Sequence, residues 1–277
     1  MLSLVEDVDR YRFTEPGPFQ HGELEVTSED IITNLPFRDG CAMWFDHHTS
    51  NEVNADFRGA WWVAPSAARV IYDHYMPDDR LTGFRGLVEI TDRIDSANLT
   101  MEEVKNPRGY VLVSMTVEGK RPQDEPYWRR LIELIRENDL AAMLADPEVD
   151  RRCAEFMTVN QEFGQAIELY SELDGNVLVT DFRRVWNGES GNRFLAYTLF
   201  PRCDIWVKAM DNPNDPRRAH ISVGHSIFNR TSKVDVGELM SRYGGGGHRG
   251  AGSCRPLKED ADRVLREIIE VCRNDIS

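Results

Sequence analysis

The sequence predicts two α/β domains joined by a helical connector, and three stretches carry that prediction. An early apolar run, Cys41-Ala42-Met43-Trp44-Phe45, has the length and all-round hydrophobicity of a strand buried in a parallel sheet. From Tyr127 to about Tyr170 the pattern is almost wholly helical, broken near Asp146-Pro147. Beyond it GNVLVTDF, RFLAYTLF, CDIWVKAM and AHISVGHSIF have strand-like lengths, and VDVGELMSRY and KEDADRVLREIIEVCRN then read as helices. The expected divisions are 1–125 for the first domain, 126–172 for the connector and 173–277 for a smaller second domain.

In chain order, the opening MLSLVEDVDRYRF has helical spacing at Leu2, Leu4, Val5 and Val8 with no capping residue before it, so it reads as the tail of a helix. Glu15-Pro16-Gly17-Pro18 marks a turn. The segment ELEVTSEDIITNL leads to the apolar strand, whose C-terminal end carries Asp46-His47-His48. In open α/β sheets ligands bind at that edge, where the loops fan out from the strand ends. Pro65 to Tyr75 predicts a helix, with a proline near its start and Ala67, Val70, Ile71 and His74 on one stripe. Leu81 to Ile94 predicts another, with Asp92 and Asp95 near its end.

Composition narrows the function. With 41% hydrophobic and 29% charged residues the chain reads as an ordinary globular protein. No stretch approaches the roughly 18 apolar residues of a membrane helix, and no secretory signal opens it, so the expectation is a cytoplasmic protein without a membrane partner. The five cysteines are scattered and form no C-x-x-C pair, which suits reduced, mostly buried thiols. A net charge of −14 disfavours long duplex nucleic acid as a partner. A small phosphorylated substrate stays open, because a local cluster of basic groups and metal can set the potential of one pocket against the global charge.

Two motifs carry chemistry. In Trp44-Phe45-Asp46-His47-His48, adjacent imidazoles and a carboxylate can face one cleft, a ligand set that suits a transition metal able to polarise a phosphoryl group. In Tyr243-Gly244-Gly245-Gly246-Gly247-His248-Arg249-Gly250-Ala251-Gly252, the glycines let backbone N–H groups approach an anion, with His248 and Arg249 as further donors. The G-x-G-x-x-G within it follows a helix, which is the wrong context for a dinucleotide cofactor. Taken alone, a D-H-H tripeptide can equally cap a strand in solvent, and a glycine run can be a hinge.

Together, in this order and at these ends of the chain, the motifs resemble the DHH phosphoesterase superfamily with its DHH-associated C-terminal domain. The segments LPFRDGCAMWFDHH, APSAARVIY, TDRIDSA, GNRF, GHSIFNRTSKVDVG and YGGGGHRGAG look most like its exopolyphosphatase-related, oligoribonuclease-like branch, and they cover nearly the whole chain. The resemblance implies a parallel-sheet N-terminal domain, a smaller mixed-sheet C-terminal domain and hydrolysis of a small phosphorylated substrate. That substrate would be a short oligonucleotide, a nucleoside bisphosphate, a cyclic dinucleotide or polyphosphate. It implies a two-metal site holding Mn²⁺, with Mg²⁺ the alternative. His47 and His48 would be metal ligands, Asp46 and His48 catalytic, and Asp92 a further metal ligand, with Asp95 second to it. Arg230, Gly245, Gly246, Gly247 and His248 would bind the substrate. Asn229, Thr231 and Ser232 are hydrogen-bonding neighbours, while Arg193 reads equally as a surface ion pair and Trp61-Trp62 as packing. The oligomeric state is not fixed by the sequence, and a homodimer is open.

Two departures from the family pattern stand out. Nothing before Asp46 resembles the family's opening aspartate-rich strand end. Where a bridging aspartate is expected, I-I-T-N-L-P places neutral Asn34, with Asp30 a weaker substitute. Losing carboxylates should weaken a two-metal site severely. One expectation is therefore a start codon placed too late. The other is a real loss, leaving a protein that binds nucleotide or phosphate without hydrolysing it.

Overall fold

The computed structural model describes residues 1–117 and 122–274. The chain forms two compact units, one of Met1–Leu99 with Arg108–Cys153, the other of Thr100–Pro107 with Ala154–Ser277.

The first unit opens with two short helices, α1 (Leu2–Val5) and α2 (Pro16–Gln20), and continues into three strands, β1 (Ile31–Thr33), β2 (Met43–Asp46) and β3 (Gly59–Trp61). The strands form a parallel sheet in the order β1-β2-β3, so the predicted apolar strand is the central one. All four β2 residues are buried, as a strand covered on both faces must be. Met43 and Phe45 point to one face, where they meet Ala60, Val70 and Ile71; Trp44 points to the other, with Phe19 and Ile32. Gly59 is required at the start of β3, since a Cβ there would come within 2.1 Å of the Trp44 carbonyl oxygen.

Helix α3 (Ala67–Tyr75) covers the Phe45 face and is capped by Ser66, whose hydroxyl accepts the Arg69 N–H. A 3-10 turn over Asp79–Phe84 leads into α4 (Arg85–Asp95), where the sequence predicted one uninterrupted helix. The short α5 (Met101–Lys105), closed by a capping box between Thr100 and Glu103, belongs to the second unit. Helices α6 (Gly109–Met115), α7 (Glu125–Glu137), α8 (Leu140–Ala145) and the first turns of α9 (Pro147–Tyr170) enclose a separate core of Val113, Tyr127, Leu131, Leu134, Met143 and Val149. Arg152 lies over the Tyr127 ring and pairs with Asp124 and Glu148.

The second unit is a six-stranded mixed sheet built from β4 (Ser171–Asp174), β5 (Val177–Asp181), β6 (Ile205–Asp211), β7 (Ala219–His225), β8 (Gly246–His248) and β9 (Ala251–Cys254). Its order is β4-β5-β6-β7-β9-β8, and β5–β6 is the parallel pair among antiparallel neighbours. One face buries Val177, Ile205, Val207 and Ile221 under α11 (Val236–Ser241) and α12 (Lys258–Asn274). The other buries Leu178 and Trp206 under α9 and α10 (Leu195–Leu199).

The second unit corrects two local expectations. RFLAYTLF, read as a strand, is α10: Asn192 accepts the Phe194 N–H, and Leu195 to Thr198 are all buried. A helix enclosed on every side shows neither the 3.6-residue nor the two-residue period, so its apolar run imitates a strand. The glycine run, read as a loop after a helix, contains a strand, β8, paired antiparallel with β9. Four of the five cysteines are buried and all are free thiols. Among the described residues no helix is long and apolar enough to cross a membrane.

Candidate functional site

The C-terminal end of β2 places Asp46, His47 and His48 at the sheet edge predicted for ligands, with one ligand atom from each within 4.8 Å of the others. Asp46 is fully buried, and both of its oxygens accept hydrogen bonds: Oδ1 from His48 Nδ1 at 2.8 Å and Oδ2 from Asn51 Nδ2 at 2.6 Å. A buried carboxylate is tolerable only when donors take up its charge in this way.

The two histidines have defined polarity. His47 Nδ1 lies 2.9 Å from the carbonyl oxygen of Ala64, which can only accept, so in the neutral ring Nδ1 carries the proton and Nε2 keeps its lone pair. His48 Nδ1 faces a carboxylate, with the same consequence. The His47 Nε2 atom is buried and aligned with no hydrogen-bond partner, although Asp95 Oδ2 lies 3.3 Å away. An orphaned imidazole lone pair beside carboxylates fits a divalent cation, and the Nδ1–carbonyl and Nδ1–carboxylate contacts are the outer supports that metal-binding histidines use.

The two candidate aspartates of α4 are engaged differently. Asp92 Oδ1 accepts from Ser66 Oγ at 2.6 Å, and its Oδ2 accepts from Arg69 Nε and an Arg69 terminal nitrogen at 3.0 and 2.8 Å. Asp95 is the one that reaches His47. Asn34 follows Thr33, which is paired with Phe45, so it lies level with Asp46 at the same sheet edge, in a left-handed conformation with φ 58°. Asp30 precedes β1 and is held by Arg12 and Thr27, at the opposite end of the strand.

In the second unit the hairpin β8–β9 explains the glycines. A Cβ at Gly245 would meet the Ser253 carbonyl oxygen at 2.1 Å, and one at Gly247, with φ 155°, would meet that of Ala251 at 2.3 Å. Gly246 has open space beside its Cα. His248 is exposed, and its Nδ1 accepts the Gly250 N–H at 3.1 Å. In the neutral ring its Nε2 therefore carries the proton, the reverse of His47 and His48. An outward N–H suits a phosphate oxygen or the acceptor edge of a base. Arg230 is exposed with φ 52°, its Nε donating to the Ile227 carbonyl. Asn229 instead braces the Pro201–Asp204 turn, donating to the carbonyls of Pro201 and Cys203 and to Asp204 Oδ1, while Thr231 also bonds to Asp204. Arg193 lies over the Phe194 ring.

Sequence reasoning missed Asn51 and Ala64, which no local signal marks: each acts through a contact that only the folded chain creates.

A structure of the pGpG-specific phosphodiesterase PggH from Vibrio cholerae is similar to this chain, with 30% identity, a TM-score of 0.84 and coverage of 99% of this chain and 94% of that one. The chain belongs to the DHH phosphoesterase superfamily. It is accordingly a phosphoester hydrolase by family, and its two α/β units have the DHH-type architecture. An exopolyphosphatase-related protein from Bacteroides fragilis is more distant, at 12% identity and a TM-score of 0.42, over 82% of this chain and 63% of that one. No family model matches the chain, and no curated protein does either.

Proposed function

We propose that this chain is a Mn²⁺-dependent phosphodiesterase of the cytoplasm that cleaves a short linear oligonucleotide, foremost a guanine dinucleotide of the pGpG kind. The observation that carries the reading is the pair of imidazole lone pairs held over buried Asp46 at the end of β2, in a chain similar along its length to a pGpG-specific enzyme.

His47 and His48 are the imidazole ligands, and carboxylate ligands come from α4, with Asp95 beside His47 and Asp92 behind it at Ser66 and Arg69. Mn²⁺ held by these residues would supply Lewis-acid polarisation and positive charge at the phosphodiester. Asp46 orients His48 through Nδ1, and Asn51 fixes Asp46. His48, with 46% of its side chain exposed against 12% for His47, also borders the attacked phosphate. Substrate recognition falls to the C-terminal unit, where Arg230, the backbone at Gly245, Gly246 and Gly247, and the outward N–H of His248 offer donors to a terminal phosphate or base.

The test is release of GMP from pGpG with Mn²⁺ and with excess chelator, beside a cyclic dinucleotide, adenosine bisphosphate and polyphosphate. Chelator-sensitive release from the linear dinucleotide is the expected result. Tight binding of pGpG without turnover under any metal would replace the enzyme with a binding protein, the reading that neutral Asn34 beside Asp46 favours.

A further inference from the structure

Among the six tryptophans, five belong to apolar clusters: Trp44 and Trp61 in the sheet of the first unit, Trp128 in its helical core, Trp186 and Trp206 in the second unit. Trp62 belongs to none. It is 36% exposed, followed by Val63 at 67%, and among the described residues its ring has no aromatic or cationic partner and its Nε1 no acceptor. A lone exposed apolar side chain is ordinary on a protein surface, so exposure alone decides nothing.

Position decides it. Trp62 and Val63 are the two central residues of the stretch Trp61-Trp62-Val63-Ala64, which leaves the C-terminal end of β3 at the edge that carries the histidines. Both ends of that stretch are tied to the metal-binding pair. Trp61 Nε1 donates to the His48 carbonyl at 3.1 Å, and the Ala64 carbonyl accepts from His47 Nδ1 at 2.9 Å. Trp62 is one Cα step of about 3.8 Å from the first anchored residue and two from the second, so the segment that carries it is tied to the histidines at both ends. The result is an indole about one-third exposed, outside every apolar cluster, on a short segment tied at both ends to the histidine pair.

The chemistry of the substrate supplies its occupant. A phosphodiester in a linear dinucleotide has a nucleoside on each side, so a phosphate held at the histidines brings a base to their immediate surroundings. Every base offers a π-face, and an indole is the largest side chain that can stack on it without demanding a hydrogen-bond pattern. We propose that Trp62, with Val63 beside it, is the stacking platform for one base of the dinucleotide and sets a preference for purines. This rests on the dinucleotide reading given above.

The experiment measures KM and kcat for pGpG and pUpU with Mn²⁺, together with quenching of tryptophan fluorescence by pGpG in chelator, for the wild type, Trp62→Ala and Trp62→Phe. Because the side chain lies outside every apolar cluster but is only about one-third exposed, melting temperatures are measured beside the kinetics, and Trp62→Phe should keep the wild-type value. For Trp62→Ala, KM for pGpG rises roughly tenfold, with kcat the lesser change, and the preference for pGpG over pUpU collapses; Trp62→Phe restores most of both. Turnover of pGpG by the wild type with an unchanged KM and base preference in Trp62→Ala overturns the platform and leaves the enzyme standing. If the wild type cleaves no dinucleotide, the functional reading fails instead. In that case quenching that is present in the wild type and lost in Trp62→Phe still upholds the platform, and equal quenching in both overturns it too.

Discussion

His47 points its Nδ1 at the carbonyl oxygen of Ala64, 2.9 Å away, so a residue 17 positions later in the chain decides which nitrogen of the neutral imidazole keeps its lone pair. Replacing His47 by alanine removes a proposed metal ligand without touching the core of the sheet. Mn²⁺ affinity should fall by at least about 100-fold and turnover with it, while the urea midpoint stays close to wild type. Isothermal titration with Mn²⁺ checks the first part and a denaturant melt the second.

Asn51 has a different signature. Its amide is the second donor to a carboxylate that has no access to water, and Asn51→Ala leaves Asp46 Oδ2 buried without it. Stability should drop by about 1–3 kcal/mol, and metal affinity by roughly tenfold because His48 loses its firm support. A variant that lost affinity at wild-type stability would contradict this account.

Asp92 and Asp95 should separate cleanly. Asp92 joins α4 to the start of α3 through Ser66 and Arg69, whereas Asp95 reaches His47. Asp92→Asn is expected to lower thermal stability by about 1–3 kcal/mol, since it weakens a charge-assisted pair that is mostly buried. Asp95→Asn is expected to leave stability within about 0.5 kcal/mol and to weaken Mn²⁺ binding more than Asp92→Asn does. Parallel melts and Mn²⁺ titrations of the two variants give the order.

The glycine run offers a paired test. At Gly245 an added Cβ collides with the Ser253 carbonyl, so Gly245→Ala must part β8 from β9 and should cost roughly 2 kcal/mol or more. Gly246→Ala meets nothing and should fold as wild type. Any rise in KM for Gly246→Ala then reports on ligand approach to that backbone, free of folding effects.

Lys208 gives the second unit a pH dependence. Its ammonium lies over the rings of Phe163 on α9 and Trp206 on β6, and burial holds its pKa at about 8, below the ordinary 10.5. Below about pH 8 both folded and unfolded chains carry the proton, and the cost of burying the charge is present in full. Between about 8 and 10.5 the unfolded chain holds the proton that the folded chain has lost, so this group makes stability rise with pH. The ring faces offset part of the cost. Lys208→Met should therefore stabilise the protein at pH 7 by roughly 1–2 kcal/mol and flatten the rise, as melts at pH 7 and 9.5 would register.

How much of this was legible in the residues follows from the range of the interactions. β2 was readable because four consecutive buried positions leave an apolar run, and Asp46-His47-His48 because adjacency needs no folding to be seen. The β4–β5 hairpin passed unread although its two-residue loop, Gly175-Asn176, has glycine with φ 64° at the first position, a recognised hairpin signal. β8 had no apolar alternation to show, since its strand character rests on close backbone approach and not on side chains. Which nitrogen each histidine presents was beyond the sequence altogether, because Ala64 and Gly250 act through main-chain atoms that every residue type possesses.

The interlocked backbones of β8 and β9 also bear on descent. Gly245, Gly247 and Gly252 are each closed to a methyl group by a main-chain oxygen of the opposing strand, so selection for folding alone suffices to keep them. A descendant that had abandoned its ligand would retain the glycines and be free to drift at Gly246 and His248. In lineages of this kind the glycines record ancestry, and the two open positions record use.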